Sequence, residues 1–93
     1  MIRSFADKDT EALYAGKDVR RFRGIRDQAE RRLLILRNAK GLGDLAALRS
    51  NRLEALSGDR VGQYSIRVNT QYRICFRWKD GDAYDVEIVD YHR

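Results

Sequence analysis

Six residues in the second half of the chain have side chains suited to cleaving a phosphodiester: Glu54, Arg67, Arg73, Asp90, Tyr91 and His92. Scission of RNA without a metal needs a base for the ribose 2′-hydroxyl, cations for the charge that builds on the phosphate, and an acid for the departing 5′-oxygen. His92, the only histidine, suits acid or base work because its ordinary pKa is about 6.5. A glutamate takes the base role where its surroundings raise its pKa. Arginine grips phosphate oxygens in a two-pronged fork, and tyrosine stacks on a base or donates through its hydroxyl. Each residue also has a plain role: His92 as a solvated terminal residue, Glu54 as a partner of Arg52 or Arg60, Asp90 as a partner of an arginine, and Tyr91 as cover for a core edge. No short motif joins the six, so strand register must bring them together.

The elements that would do so are strands. Tyr84, Val86 and Ile88 alternate with Asp85 and Glu87 in the final stretch, Ala83–Arg93, a period of two that argues for a half-buried strand. Upstream, Tyr64, Ile66 and Val68 share a face over Gln63–Asn69, and Tyr72, Ile74, Phe76 and Trp78 share one over Tyr72–Trp78. Asp80-Gly81 is a hairpin signal between the last two strands. Arg52–Leu56 is expected as a further strand and Met1–Phe5 as an edge strand. Matching apolar faces across Asn69-Thr70-Gln71 sets Ile66 opposite Ile74 and Arg67 opposite Arg73. Opposed like charges are destabilising, so this pair calls for an anion. Asp85 and Glu87, expected on the same face, would serve; so would a phosphate.

The first half reads as helices. Asp7 or Asp9 can cap a short helix that runs through Tyr14 and stops at Gly16, with Leu13 facing the core. Phe22, Ile25, Ala29, Leu33 and Leu36 recur at helical spacing, predicting a helix from about Ile25 to Asn38 whose apolar stripe covers the sheet. Asp44 can cap one turn over Leu45–Leu48. The expected class is α+β, two N-terminal helices packed on a small antiparallel sheet, as one domain over residues 1–93.

Composition narrows the partners. The 93 residues carry a formal net charge of +5, and residues 1–50 hold 12 basic residues against seven acidic ones, whereas residues 51–93 hold seven of each. A basic half beside a neutral half suits a polyanion such as RNA, DNA or an acidic protein. The single cysteine, Cys75, excludes an internal disulfide and a cysteine-cluster zinc site. One histidine and scattered acids make no metal-ligand cluster, and the glycines form no phosphate-binding loop. No run of 18 apolar residues is present, and Met1-Ile2-Arg3-Ser4 is not expected to open a signal peptide. The expectation is a cytoplasmic protein with no membrane partner, no metal and no cofactor.

Taken together, Met1-Ile2-Arg3-Ser4-Phe5, the run Asn51-Arg52-Leu53-Glu54-Ala55-Leu56-Ser57-Gly58-Asp59-Arg60, Gly62-Gln63-Tyr64-Ser65-Ile66-Arg67-Val68-Asn69, Gln71-Tyr72-Arg73-Ile74-Cys75-Phe76-Arg77-Trp78 and the ending Val86-Glu87-Ile88-Val89-Asp90-Tyr91-His92 resemble the HigB toxins, the plasmid maintenance killer family of the RelE/ParE superfamily. The resemblance spans nearly the whole length. It implies a RelE-like fold and a metal-independent endoribonuclease that cuts messenger RNA in the ribosomal A site. It also implies a helix-turn-helix antitoxin of the HigA type and an operator bound by the toxin–antitoxin complex. Arg73, Asp90, Tyr91 and His92 match family positions tied to activity, and Arg60, Arg67 and Arg77 are the RNA phosphate contacts this reading adds. The sequence departs from some members at Glu54, where they carry histidine, and at Ser57, where they carry lysine.

Two mechanisms follow from the departure. Either Glu54 is the base, His92 the acid and Arg73 the phosphate clamp, or positioning by the ribosome and charge stabilisation by Arg67 and Arg73 supply most of the acceleration. Two other function classes stay open. One is a non-catalytic ParE-like toxin that binds and poisons DNA gyrase, since fold does not fix function. The other is a basic ribosome-associated module without activity.

Overall fold

The period-two stretches pair into a four-stranded antiparallel sheet in chain order, β1 (Glu54–Ala55), β2 (Tyr64–Arg67), β3 (Tyr72–Lys79) and β4 (Asp82–Asp90). The structure, a computed structural model, describes residues 1–91. Register follows the matching of apolar faces: Ile66 lies opposite Ile74 and Ile74 opposite Ile88, so one buried row crosses three strands. Arg67 lies opposite Arg73. Three helices, α1 (Lys8–Tyr14), α2 (Arg26–Asn38) and α3 (Leu42–Ala47), accompany the sheet.

The helical apolar stripe supplies the other half of the core. Ala29, Leu33 and Leu36 of α2 are buried, with Phe22 from the 3-10 segment Arg20–Ile25 just before it. Together with Leu13, Leu45 and the inner face of the sheet they form one cluster. Thr10, buried on α1, accepts a hydrogen bond from the Ile88 amide at 3.0 Å, which ties that helix to β4. Gly16 ends the α1 turn at φ +87, a conformation that a side chain would strain.

Four expectations need correction. Met1–Phe5 is not a strand but makes two isolated parallel bridges to β4, Ile2 with Ala83 and Phe5 with Val86, which cover the sheet edge. The strand expected over Arg52–Leu56 shrinks to Glu54–Ala55, because Arg52 is left-handed at φ 44 and cannot continue an extended ladder. The short helix begins at Leu42 instead of Leu45, and Asp44 sits inside it, accepting from the Lys40 amide at 2.8 Å.

The fourth correction concerns β4. A register shift between Cys75 and Arg77 coincides with Asp85 at φ 51. This bulge inserts one residue, so Tyr84 lies opposite Arg77 while Ala83 takes the buried position. The strand therefore changes face midway, and Tyr84 does not share the side of Val86 and Ile88. Asp85 pairs with Arg77 at 3.6 Å, and Glu87 pairs with Arg60 at 3.2 Å. Neither acid compensates the Arg67–Arg73 pair.

Candidate active site on the open sheet face

The face of the sheet away from the inner isoleucine row holds a row of chemistry-bearing residues. Glu54, Ser65, Cys75 and Glu87 are successive cross-strand partners on β1 to β4. The next row is Arg67, Arg73 and Val89. Alternation along each strand sends these side chains to the side opposite Ile66, Ile74 and Ile88.

Arg73 is the centre of this face. It is buried, with only 8% of its surface exposed. A buried guanidinium without acceptors would cost several kcal/mol, so its partners decide whether it can stay there. Its Nε donates to the Ser65 hydroxyl at 2.7 Å, and its Nη2 donates to the Arg52 carbonyl at 2.5 Å and the Ser65 carbonyl at 3.3 Å. The Glu54 carboxylate stands 3.6 Å from Nη2. The left-handed turn at Arg52, which shortens β1, lies at the residue whose carbonyl meets Arg73. Held through Nε and Nη2, the guanidinium is a fixed cation, and Nη1 has no acceptor among the described residues. Glu54 differs in character: its side chain is 54% exposed and reachable from solvent.

Tyr91 joins the face from the end of β4, its amide donating to the Gln71 carbonyl at 2.6 Å. Its phenol bonds with the Cys75 thiol, and its pKa is raised, first by burial and then by the neighbouring thiol. Burial is also the main cause of the raised Cys75 pKa, which the charges of Arg60 and Arg73 oppose. Cys75 is fully buried, so it is a neutral structural partner of Tyr91. Arg60 reaches Gln63 at 3.0 Å and Glu87 at 3.2 Å, flanking the row at its β4 side.

The remaining sequence candidates fall elsewhere. Asp90 lies opposite Tyr72 and accepts from Gln71 Nε2 at 3.1 Å; its register places it on the helix side, away from Arg73. Arg77 is four residues along β3 from Arg73, roughly 13 Å at the usual strand rise, and is paired with Asp85. Arg67 stands beside Arg73 with no acceptor among the described residues. His92 lies outside the described residues. Sequence reasoning missed Ser65, the Arg52 carbonyl and Cys75. The register that opposes Arg67 and Arg73 places Ser65 on the same face, so that signal was present; the kink at Arg52 had none.

The chain, with its half-covered antiparallel sheet and a clamped arginine on the open face, is of the RelE-like toxin class by its family match. A chain of the YoeB–YefM complex from Staphylococcus aureus has this fold, with a TM-score of 0.59 at 15% identity over 100% of this chain and 99% of that one. Within the class, the model for the RelE-like toxin of the type II toxin-antitoxin system HigB matches residues 3–92, and the chain belongs to that HigB-like family. It is 42% identical over 87 residues to Toxin HigB-1 of Vibrio cholerae serotype O1, covering 89% of this chain and 90% of that protein. It is 34% identical over 100 residues to Endoribonuclease HigB of Proteus vulgaris, covering 99% and 100%. Family membership gives the chain an antitoxin as a partner. Among the described residues no helix is long and apolar enough to cross a membrane.

Proposed function

We propose that the protein is an endoribonuclease that arrests growth by cutting messenger RNA at the ribosomal A site without a metal. A helix-turn-helix antitoxin of the HigA type restrains it and joins it on operator DNA. The observation that supports this most is the Arg73 guanidinium, locked in the open sheet face beside the carboxylate of Glu54 and the phenol of Tyr91. The name of the Proteus vulgaris relative, an endoribonuclease, points the same way.

The geometry suggests a division of labour. Arg73 is already oriented, so it meets negative charge developing on a phosphate without reorganising. Glu54 is the acceptor nearest to it with solvent access and takes the proton of the ribose 2′-hydroxyl. His92, two residues beyond Asp90, supplies the acid for the leaving 5′-oxygen, and Tyr91 packs the substrate against the face. Arg60 flanks the scissile phosphate on the β4 side, and Arg67, beside Arg73, lies where the strand leaves the reaction centre. Arg77, being distant and paired, contributes only to general attraction of RNA.

The fold alone leaves a gyrase poison in play, and one experiment separates the two. Nascent protein and nascent DNA are labelled in parallel after induction. Protein synthesis stopping first, with DNA synthesis continuing, supports the ribonuclease. DNA synthesis stopping first rejects it.

A further inference from the structure

Beyond the Arg73 centre, a second basic feature is built from both halves of the chain. A cleft of about 520 Å³ lies between α2 and the β2–β3 turn, lined by Gln28, Arg31, Arg32, Arg67, Asn69 and Thr70. No carboxylate among the described residues lines it. Its walls are tied: Asn69 Nδ2 donates to Gln28 Oε1 at 3.0 Å, and Arg32 Nη1 donates to Asn51 Oδ1 at 2.7 Å and Ser50 Oγ at 3.2 Å. Arg31 and Arg67 have no acceptor among the described residues.

We propose that this cleft is a second phosphate site, which grips the phosphodiester backbone of an RNA one step away from the bond being cut. Three arginines around one polar space form an uncompensated positive field, and the forked guanidinium matches phosphate oxygens. Arg32 supports this: its pKa is lowered, first by burial and then by the charges of Arg31 and Arg67. The site is continuous with the reaction centre, because Arg67 is the cross-strand partner of Arg73 on the open face. Adjacent strands are about 4.8 Å apart, so a backbone that reaches Arg73 passes Arg67 on its way to the cleft. That continuity favours RNA over an acidic protein segment. The ligand class rests on the ribonuclease reading, whereas the cleft's binding is tested apart from cleavage.

The test uses the full chain as wild type, Arg31→Gln, Arg67→Gln and the control Lys79→Gln. Lys79 is exposed and at the far end of β3, roughly 23 Å from Tyr72 at the usual strand rise. Binding is measured against salt in two arms: a short 2′-O-methyl oligoribonucleotide, which cannot be cut, and purified small ribosomal subunits. Each lost phosphate contact on a single strand reduces the salt slope by about 0.7 and weakens binding about fivefold near 0.1 M salt. That loss for Arg31→Gln and Arg67→Gln but not Lys79→Gln, with Arg67→Lys largely restoring the slope, is the expected result. Loss in the oligonucleotide arm assigns the cleft to the strand being cut; loss in the subunit arm alone overturns that assignment and gives the cleft to ribosomal RNA. Unchanged binding in both arms overturns the proposal. So does a loss confined to binding of the cognate antitoxin, which would give the cleft to an acidic protein. Failure of RNA cleavage with both arms intact would count against the ribonuclease alone.

Discussion

Arg73 and Glu54 form a pair with unequal roles. Arg73 is held by Ser65 and the Arg52 carbonyl, so its position does not depend on Glu54. Glu54 is exposed and replaceable in position, though it is the carboxylate closest to the clamp. If charge stabilisation dominates, Arg73→Ala lowers the cleavage rate by about 10²–10³-fold, as for other fixed donors to a developing oxyanion, and Glu54→Gln lowers it far less. If Glu54 is the base, the two losses are comparable. Single-turnover cleavage of one message by both variants decides between them. Arg73→Lys fails in either case, because one ammonium cannot reproduce a fork whose Nε and Nη2 both donate. The thiol beside Tyr91 has a separate signature: buried Cys75 resists alkylation in the folded protein and reacts when the chain unfolds.

At the scale of elements, the site depends on a loop as much as on the sheet. The 3-10 turn Arg49–Asn51 precedes the left-handed Arg52 and sets its carbonyl toward Arg73. Asn51 secures that turn. Fully buried, it donates to the Leu45 carbonyl at 3.0 Å and accepts from Arg32 at 2.7 Å. Asn51→Ala leaves both partners short of a bond and costs about 1–3 kcal/mol, read from denaturant unfolding. Cleavage by the folded fraction falls as well, because the Arg52 carbonyl loses its support. The sheet itself was legible in the sequence: alternation over residues 64–68 and 72–78 set the Arg67–Arg73 register that the structure contains. The helical stripe from Phe22 to Leu36 was equally plain, since buried faces impose their period on the chain. What stayed hidden were departures from regular geometry. The bulge at Asp85 moves Tyr84 across the sheet, and the turn at Arg52 removes most of a strand. Nothing in the local sequence marks Arg52 for positive φ, and Asp85, a residue type that tolerates it better than most, sits in an otherwise regular strand pattern.

For the whole molecule, the charge asymmetry of the chain becomes a spatial arrangement. The basic helix α2 packs behind the sheet and brings Arg31 and Arg32 to the edge where Arg67 emerges, so both halves contribute to one positive margin. Stability also has a pH signature. The folded state raises the pKa of both Cys75 and Tyr91, so it favours their neutral forms. In the unfolded chain these groups ionise near their ordinary values, about 8.5 and 10. The stabilisation is therefore complete below about pH 8.5 and declines as the pH rises from there towards the folded values. Denaturant midpoints measured across that range should fall for the wild type and fall less steeply for Cys75→Ala.

The central claim, that the Arg73 face and the chain end cut messenger RNA on the ribosome, is tested most directly by mapping RNA ends in a cell-free translation reaction. Wild type, Arg73→Ala and His92→Ala are compared on one message, with and without active translation. New ends within codons, present only during translation and lost in both variants, are the predicted result. A message that stays intact with wild-type protein, or ends that persist undiminished in both variants, would contradict it.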